Sequence, residues 1–251
     1  MPILVADLPP GIEACLFDLD GVLTQTATVH AAAWKAMFDR FLEERSEREG
    51  IAHPPFEVAT DYTAYVDGKL RLDGVRWFLA SRGIDLPEGS DSDPRSADTV
   101  HALGARKNDM VLAVLARDGV AVYDGSVRFV EAVRAAGLRR AVVSASKNAG
   151  PSLEAAGLSH LFEVRVDGIV AGEEGLPGKP APDTFLAAAA RLGVAPERCA
   201  VIEDAVSGVA AGRAGGFGWV IGVDRAGHAE ALKANGADVV VADLDELVEE
   251  R

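Results

Sequence analysis

"ACLFDLDGVLT", residues 14–24, sets four apolar residues directly against two carboxylates, Asp18 and Asp20, with one leucine between them. An apolar run without polar alternation reads as a strand buried on both faces. Acids at its end then stand where an open parallel sheet binds ligands, beyond the carboxyl ends of its strands. Gly21 permits a tight or left-handed turn after the pair, and Thr24 reads as the end of that turn. A period of two points Asp18 and Asp20 to the same side. A second Asp-Leu-Asp, Asp243-Leu244-Asp245, follows the apolar "DVVVA" near the C-terminus, so the tripeptide alone does not specify a site. There Glu246 stands three residues after Asp243, the pattern of a helix N-cap with its reciprocal glutamate, and this copy is expected to be structural.

Working outward, "RAVVS" (140–144), "AVI" (200–202), "WVIGV" (219–223) and "DVVVA" (238–242) have the same unalternating character and predict a parallel sheet. Between them lie helix-patterned stretches at 127–137, 148–157, 181–193 and 205–215, each closing on a glycine. Alternation of this kind predicts an α/β fold with a doubly wound, Rossmann-like parallel sheet. Residues from about 28 to 116 break the rhythm and are helical by pattern. The expected organisation is therefore a core of 1–28 and 117–251 with an inserted helical cap domain at 29–116. The polar segment 87–98 reads as a surface loop and is assigned no function.

The 251 residues, 49% hydrophobic and 25% charged, are enough for a well-cored soluble globule. A formal charge of -14 argues against nucleic acid or an anionic membrane as partner, because no sizeable surface could present a dominant positive field. The N-terminus has no basic leader region, and no apolar stretch reaches the roughly 18 residues that span a bilayer, so the expected location is cytoplasmic. Cys15 and Cys199 sit singly in apolar runs and read as buried hydrophobes.

Taking the ends of the runs together, the fold would converge Asp18, Asp20, Glu203 and Asp204 with the Ser144 hydroxyl and Lys179 of "LPGKPAPD". Two carboxylates about 4 Å apart repel by roughly 4 kcal/mol at an effective dielectric near 20, so four need a counter-ion. All-oxygen ligation implies Mg²⁺. Lys179 before a helix opposes the helix dipole unless carboxylates or a phosphate offset it, although taken alone it also reads as a solvated loop lysine. A carboxylate beside Mg²⁺, a hydroxyl and a lysine can attack phosphorus, giving an aspartyl phosphate, while its neighbour serves as general acid and base.

The segments "FDLDGVLT", "VVSAS", "GKPAPD" and "VIEDAVSGVAAGRAG", in this order, resemble the four motifs of the haloacid dehalogenase superfamily. That resemblance implies Asp18 as nucleophile and Asp20 as acid/base that also offers Mg²⁺ its backbone carbonyl. It further implies Ser144, Ala145 and Lys179 as phosphate binders, with Glu203 and Asp204 completing the metal site. The Asp18/Asp20 pair is the mark of the phosphoryl-transfer branch, since the true dehalogenases lack it. "DGVLTQTATVHAAAWKAMF", "DGKLRLDGV", "RKND" and "SASKN" resemble the β-phosphoglucomutase-like subfamily across nearly the whole chain. The subfamily resemblance implies phosphoryl transfer between the 1- and 6-positions of β-glucose through a bisphosphate. It places His30 at the cap hinge, Gly68 and Arg71 on the distal phosphate, and Lys107 with Asn108 on the substrate; Asn148 follows the phosphate-binding serine.

Plainer readings stand beside these. His30 and Trp34, four apart, could pack on each other along a helix, and Arg71 and Lys107 also read as surface cations. The expected partner is a small-molecule sugar phosphate, with the chain a monomer or weak homodimer. A sugar-phosphate phosphatase with the same residues is the alternative activity. A phospho-accepting signalling module on a doubly wound sheet is the remote one, disfavoured by the chain's length and its helical insertion.

Overall fold

The computed structural model describes residues 3–5 and 8–250. Strand β1 (Ile3–Val5) precedes the sheet strands β2 (Ala14–Phe17), β3 (Arg139–Val143), β4 (Val164–Val166), β5 (Cys199–Glu203), β6 (Trp219–Val223) and β7 (Val239–Val241). The last strand, β8 (Val248–Glu250), pairs antiparallel with β1. The main sheet has the order β4-β3-β2-β5-β6-β7, and every pairing in it is parallel. Chain order runs outward in one direction from β2 through β3 to β4 and in the other from β5 to β7. Between β2 and β5 lies the switch point at which open α/β sheets bind ligands.

Helix α1 (Ala27–Glu49), α2 (Arg71–Ser81) and α3 (Val100–Asp118) precede α4 (Asp124–Ala135), and α5 (Ala149–Ala155), α6 (Gly168–Glu174), α7 (Asp183–Leu192), α8 (Val206–Ala214) and α9 (Ala229–Ala234) follow. Successive residues of β2 serve opposite faces. Cys15 and Phe17 pack with Phe129, Val133 and Leu153 from α4 and α5, while Ala14 and Leu16 pack with Phe185, Ala188 and Leu192 from α7. Both faces are covered, which is why the strands show no alternation. β4 escapes that criterion, because Arg165 is exposed between half-buried Val164 and buried Val166.

The described chain divides into two compact units, one running to Gln25 and resuming at Val120, the other Thr26–Gly119. The second unit is three α-helices and a π-helical turn, Val58–Val66. Its core is aromatic: Phe38 stacks on Trp34 and Phe56 at ring distances of 5.3 and 5.5 Å and meets Phe78 at 4.0 Å. The polar loop 87–98 is tied down by ion pairs of Arg76 with Glu88 and Arg48 with Asp98. Among the described residues, no helix is long and apolar enough to cross a membrane.

Candidate active site

Asp18 directly follows β2, and its amide still bonds the Ile202 carbonyl of β5 at 2.9 Å. Glu203 ends β5 and Asp204 follows it. Oxygens from Asp18, Glu203 and Asp204 lie within 4.8 Å of one another, and all three residues are buried, Glu203 completely. Lys179, 3% exposed, brings its Nζ to 2.5 Å from Asp18 Oδ1 and also ion-pairs with Glu203. The same ammonium donates to the Val143 carbonyl at 3.2 Å, so it stands beside the start of the loop that carries Ser144.

The carboxylate of Asp20 lies outside this trio, and the residue is half-buried. Three of the four expected carboxylates thus share one volume, and Asp20 follows two residues on, in the turn after β2. β geometry ends at Phe17, and residues 19–24 form a closed turn in which Thr24 bonds the Leu19 carbonyl through both its amide and its hydroxyl.

Two glycines make room for the carboxylates. Gly21 has φ 95°, and a Cβ there would lie 1.8 Å from Asp204 Oδ2; a Cβ on Gly208 would lie 1.8 Å from Glu203 Oε1. Glu203 Oε2 accepts from the Ala205 amide at 2.9 Å, which fixes the head group.

Three carboxyl groups face one ammonium in a buried volume, an excess of acid over base. Burial pushes Glu203 up to about 7, with Lys179 opposing and Asp18 adding to the rise. Burial also works against the Lys179 ammonium, yet Asp18 and Glu203 outweigh it and hold its pKa above the ordinary value. This donor set, all oxygen and richer in acids than in bases, fits a hard divalent cation held by Asp18, Glu203 and Asp204.

Ser144 is buried one residue beyond β3. Its amide bonds the Val166 carbonyl at 3.0 Å, and its Oγ accepts from the Ser146 amide at 3.1 Å, curling the chain back. Ala145 is half-buried in this curl, and Asn148 forms the N-cap position of α5.

His30, Gly68, Arg71, Lys107 and Asn108 belong to the second unit. Lys107, on α3 and 4% exposed, brings Nζ to 2.9 Å from His30 Nδ1 on α1 and lies 4.8 Å over the Trp34 ring. The lysine therefore contacts both the histidine and the tryptophan, and the Trp34 ring also stacks on Phe38. Burial first, then the neighbouring Lys107 and Arg71 cations, hold His30 well below the usual imidazole range. Arg71 opens α2, with burial lowering its pKa and Asp91 and Asp109 opposing that shift. Gly68 sits before it at φ 67°, and half-buried Asn108 is next to Lys107.

The rule of strand ends also applies to β6, where the sequence continues "DRAGH" (224–228). Arg225 and His228 of that stretch reach toward the acidic turns and were not among the sequence candidates.

Residues 12–216 match the family described as haloacid dehalogenase-like hydrolase. A β-phosphoglucomutase of Mycobacterium bovis is 57% identical over 247 residues, covering 97% of this chain and 94% of its own. A trehalose-phosphate phosphatase of Mycobacterium leprae is 40% identical over 129 residues, which is 50% of this chain and 28% of that protein. A β-phosphoglucomutase from Clostridium difficile superposes with a TM-score of 0.72 at 26% identity, covering 94% of this chain and 93% of its own. Matched over nearly its full length, the chain belongs to the haloacid dehalogenase superfamily, in its β-phosphoglucomutase-like branch, and is an enzyme of the phosphomutase or phosphatase type.

Proposed function

We propose that the chain is a Mg²⁺-dependent β-phosphoglucomutase that interconverts β-glucose 1-phosphate and glucose 6-phosphate through a phosphoryl group carried on Asp18. The observation that carries this reading is the buried meeting of Asp18, Glu203 and Asp204 around Lys179 at the ends of adjacent strands. The 57% identity to a β-phosphoglucomutase supports the choice of substrate.

In this reading Asp18, Glu203, Asp204 and the Asp20 carbonyl hold Mg²⁺, which when bound offsets the negative charge of the phosphoryl oxygens. Asp18 attacks phosphorus. A bond from its carboxylate oxygen to phosphorus forms as the bond from phosphorus to the sugar oxygen breaks, and Asp20 gives that oxygen a proton. In the second half, Asp20 takes the proton of the attacking sugar hydroxyl, and the phosphoryl group leaves Asp18. Lys179 neutralises Asp18 so that an anion can approach it, and Ser144 with the Ala145 amide receives phosphate oxygens. The core unit and the helical unit act as catalytic domain and cap. Gly68 and Arg71 bind the phosphate that is not reacting, a task suited to a guanidinium fork. His30, Lys107, Asn108 and Asn148 contact the sugar phosphate or the hinge. The enzyme works in the cytoplasm as a monomer or weak homodimer.

The second reading, a sugar-phosphate phosphatase, is favoured by the partial match to a trehalose-phosphate phosphatase. It differs only in that water accepts the phosphoryl group. Incubation with Mg²⁺, β-glucose 1-phosphate and a trace of the 1,6-bisphosphate separates the two. Glucose 6-phosphate is the expected product, and release of inorganic phosphate alone would replace the mutase by the phosphatase. Asp18→Asn should form no phosphoenzyme under the same conditions, and a labelled variant protein would refute the nucleophile.

A further inference from the structure

Beyond β6 the chain runs Asp224-Arg225-Ala226-Gly227-His228, and two of these side chains end on backbone carbonyls of the acidic turns. Arg225 Nε donates to the Gly21 carbonyl at 3.2 Å. Its Nη1 donates to the Ala242 carbonyl and to Asp243 Oδ2, both at 2.8 Å, and Nη2 reaches Ser126 Oγ at 3.4 Å. The guanidinium lies 3.7 Å over the Tyr123 ring. On the other side of the loop, His228 Nε2 is 3.0 Å from the Asp204 carbonyl. A carbonyl only accepts, so Nε2 carries the proton. The loop itself is braced by Asp224, whose Oδ1 accepts from the His228 amide at 2.8 Å.

The two turns held in this way abut each other, since a Cβ on Gly21 would fall 1.8 Å from Asp204 Oδ2. Buried carboxylates repel, so a site that keeps three of them close before the cation arrives needs its turns held by other parts of the fold. We propose that Arg225 and His228 are positioning residues that set the spacing between the turn after Asp18 and Asp20 and the turn bearing Asp204, with Asp243 anchoring Arg225. The second Asp-Leu-Asp thereby serves the first. Asp243 Oδ1 caps the following helical turn, while Oδ2 holds the arginine whose other edge grips Gly21. This inference rests on the metal-centred reading proposed above.

The test is the Mg²⁺ dissociation constant of the whole metal-free protein, measured by titration calorimetry, with kcat and KM alongside. Arg225→Met should bind Mg²⁺ about 10- to 100-fold more weakly, the usual effect of removing a group that orients ligands. Its kcat should fall while KM for the sugar phosphate stays within about twofold, a split that general loss of structure does not produce. Arg225→Lys should recover part of the affinity, because an ammonium replaces some of the fork's bonds. Asp243→Asn should resemble Arg225→Met, and the double variant should be no worse than either, since one path is being cut twice. If Arg225→Met does not fold, the histidine decides. His228→Ala should weaken Mg²⁺ binding, and His228→Gln, which keeps a side-chain N–H, should restore it. Folded Arg225 and His228 variants with wild-type Mg²⁺ affinity would overturn the positioning role alone. A wild-type protein that binds no Mg²⁺ would remove the proposed function, and the positioning role with it.

Discussion

Lys179 Nζ lies 2.5 Å from Asp18 Oδ1 and also pairs with Glu203, so one ammonium joins the carboxyl ends of the adjacent strands β2 and β5. Lys179 comes from the loop before α7; its ion-pair partners lie elsewhere in the chain, while the Phe185 ring of α7 stands 5.0 Å from Nζ. Its place depends on Asp18, 161 positions earlier, and on Glu203 at the end of β5, the next strand in the chain.

Lys179→Met should therefore cost stability as well as turnover. Removing one partner of a buried ion pair leaves the other charges uncompensated, at about 3–5 kcal/mol. Urea unfolding in the presence of a chelator should show a loss of that size. An unchanged midpoint would show that Asp18 and Glu203 do not need the lysine.

Gly208→Ala places a methyl group where Glu203 Oε1 now stands. Overpacking of this kind costs about 1–3 kcal/mol. The carboxylate must move, so Mg²⁺ affinity and turnover should fall more steeply than the melting temperature. Calorimetric Mg²⁺ binding set against thermal unfolding checks this, and a variant that melts lower but binds Mg²⁺ normally would refute it.

Stability should depend on pH through His30, which burial and the Lys107 and Arg71 cations hold neutral in the fold. The unfolded imidazole takes a proton at about pH 6.5. The folded one takes it only at a lower pH. Below about 6.5 the unfolded chain binds more protons, so stability is complete above that pH and falls as the pH drops, by up to about 1.4 kcal/mol per unit. His30→Gln should reduce that slope in urea titrations between pH 5 and 8, and an unaltered slope would assign the dependence to other groups.

Arg71→Ala should damage mutase turnover about 10- to 100-fold more than hydrolysis of a small aryl phosphate, which has no second phosphate to hold. Loss of one charged hydrogen bond, about 1.5–3 kcal/mol, accounts for that ratio. Parallel assays of the two substrates give the comparison, and equal losses would count against a distal-phosphate role.

The meeting of Asp18, Glu203, Asp204 and Lys179 was legible in the sequence because each lies at a strand end or just before a helix, and a parallel sheet gathers those points. The place of Asp20 was less legible, because it depends on the closed turn after β2, in which Thr24 bonds the Leu19 carbonyl through amide and hydroxyl. Asp243 was readable as a cap with its reciprocal Glu246, and that capping box is present. Its hold on Arg225 was hidden, as were the contacts of Arg225 and His228, because both end on main-chain carbonyls that every residue offers alike. β4 was missed for a simpler reason, a single exposed arginine in a three-residue edge strand.

The sheet's middle strand is also the first of its strands to be synthesised. β2 lies between β3 and β5, which the ribosome completes only at Val143 and Glu203. Until then Cys15, Leu16 and Phe17 travel with open hydrogen-bonding edges, the situation in which nascent chains self-associate. A translation arrest anywhere before Cys199 leaves the strand preceding Asp18 with at least one edge uncovered, so synthesis through β5 is itself a condition for this centre to assemble.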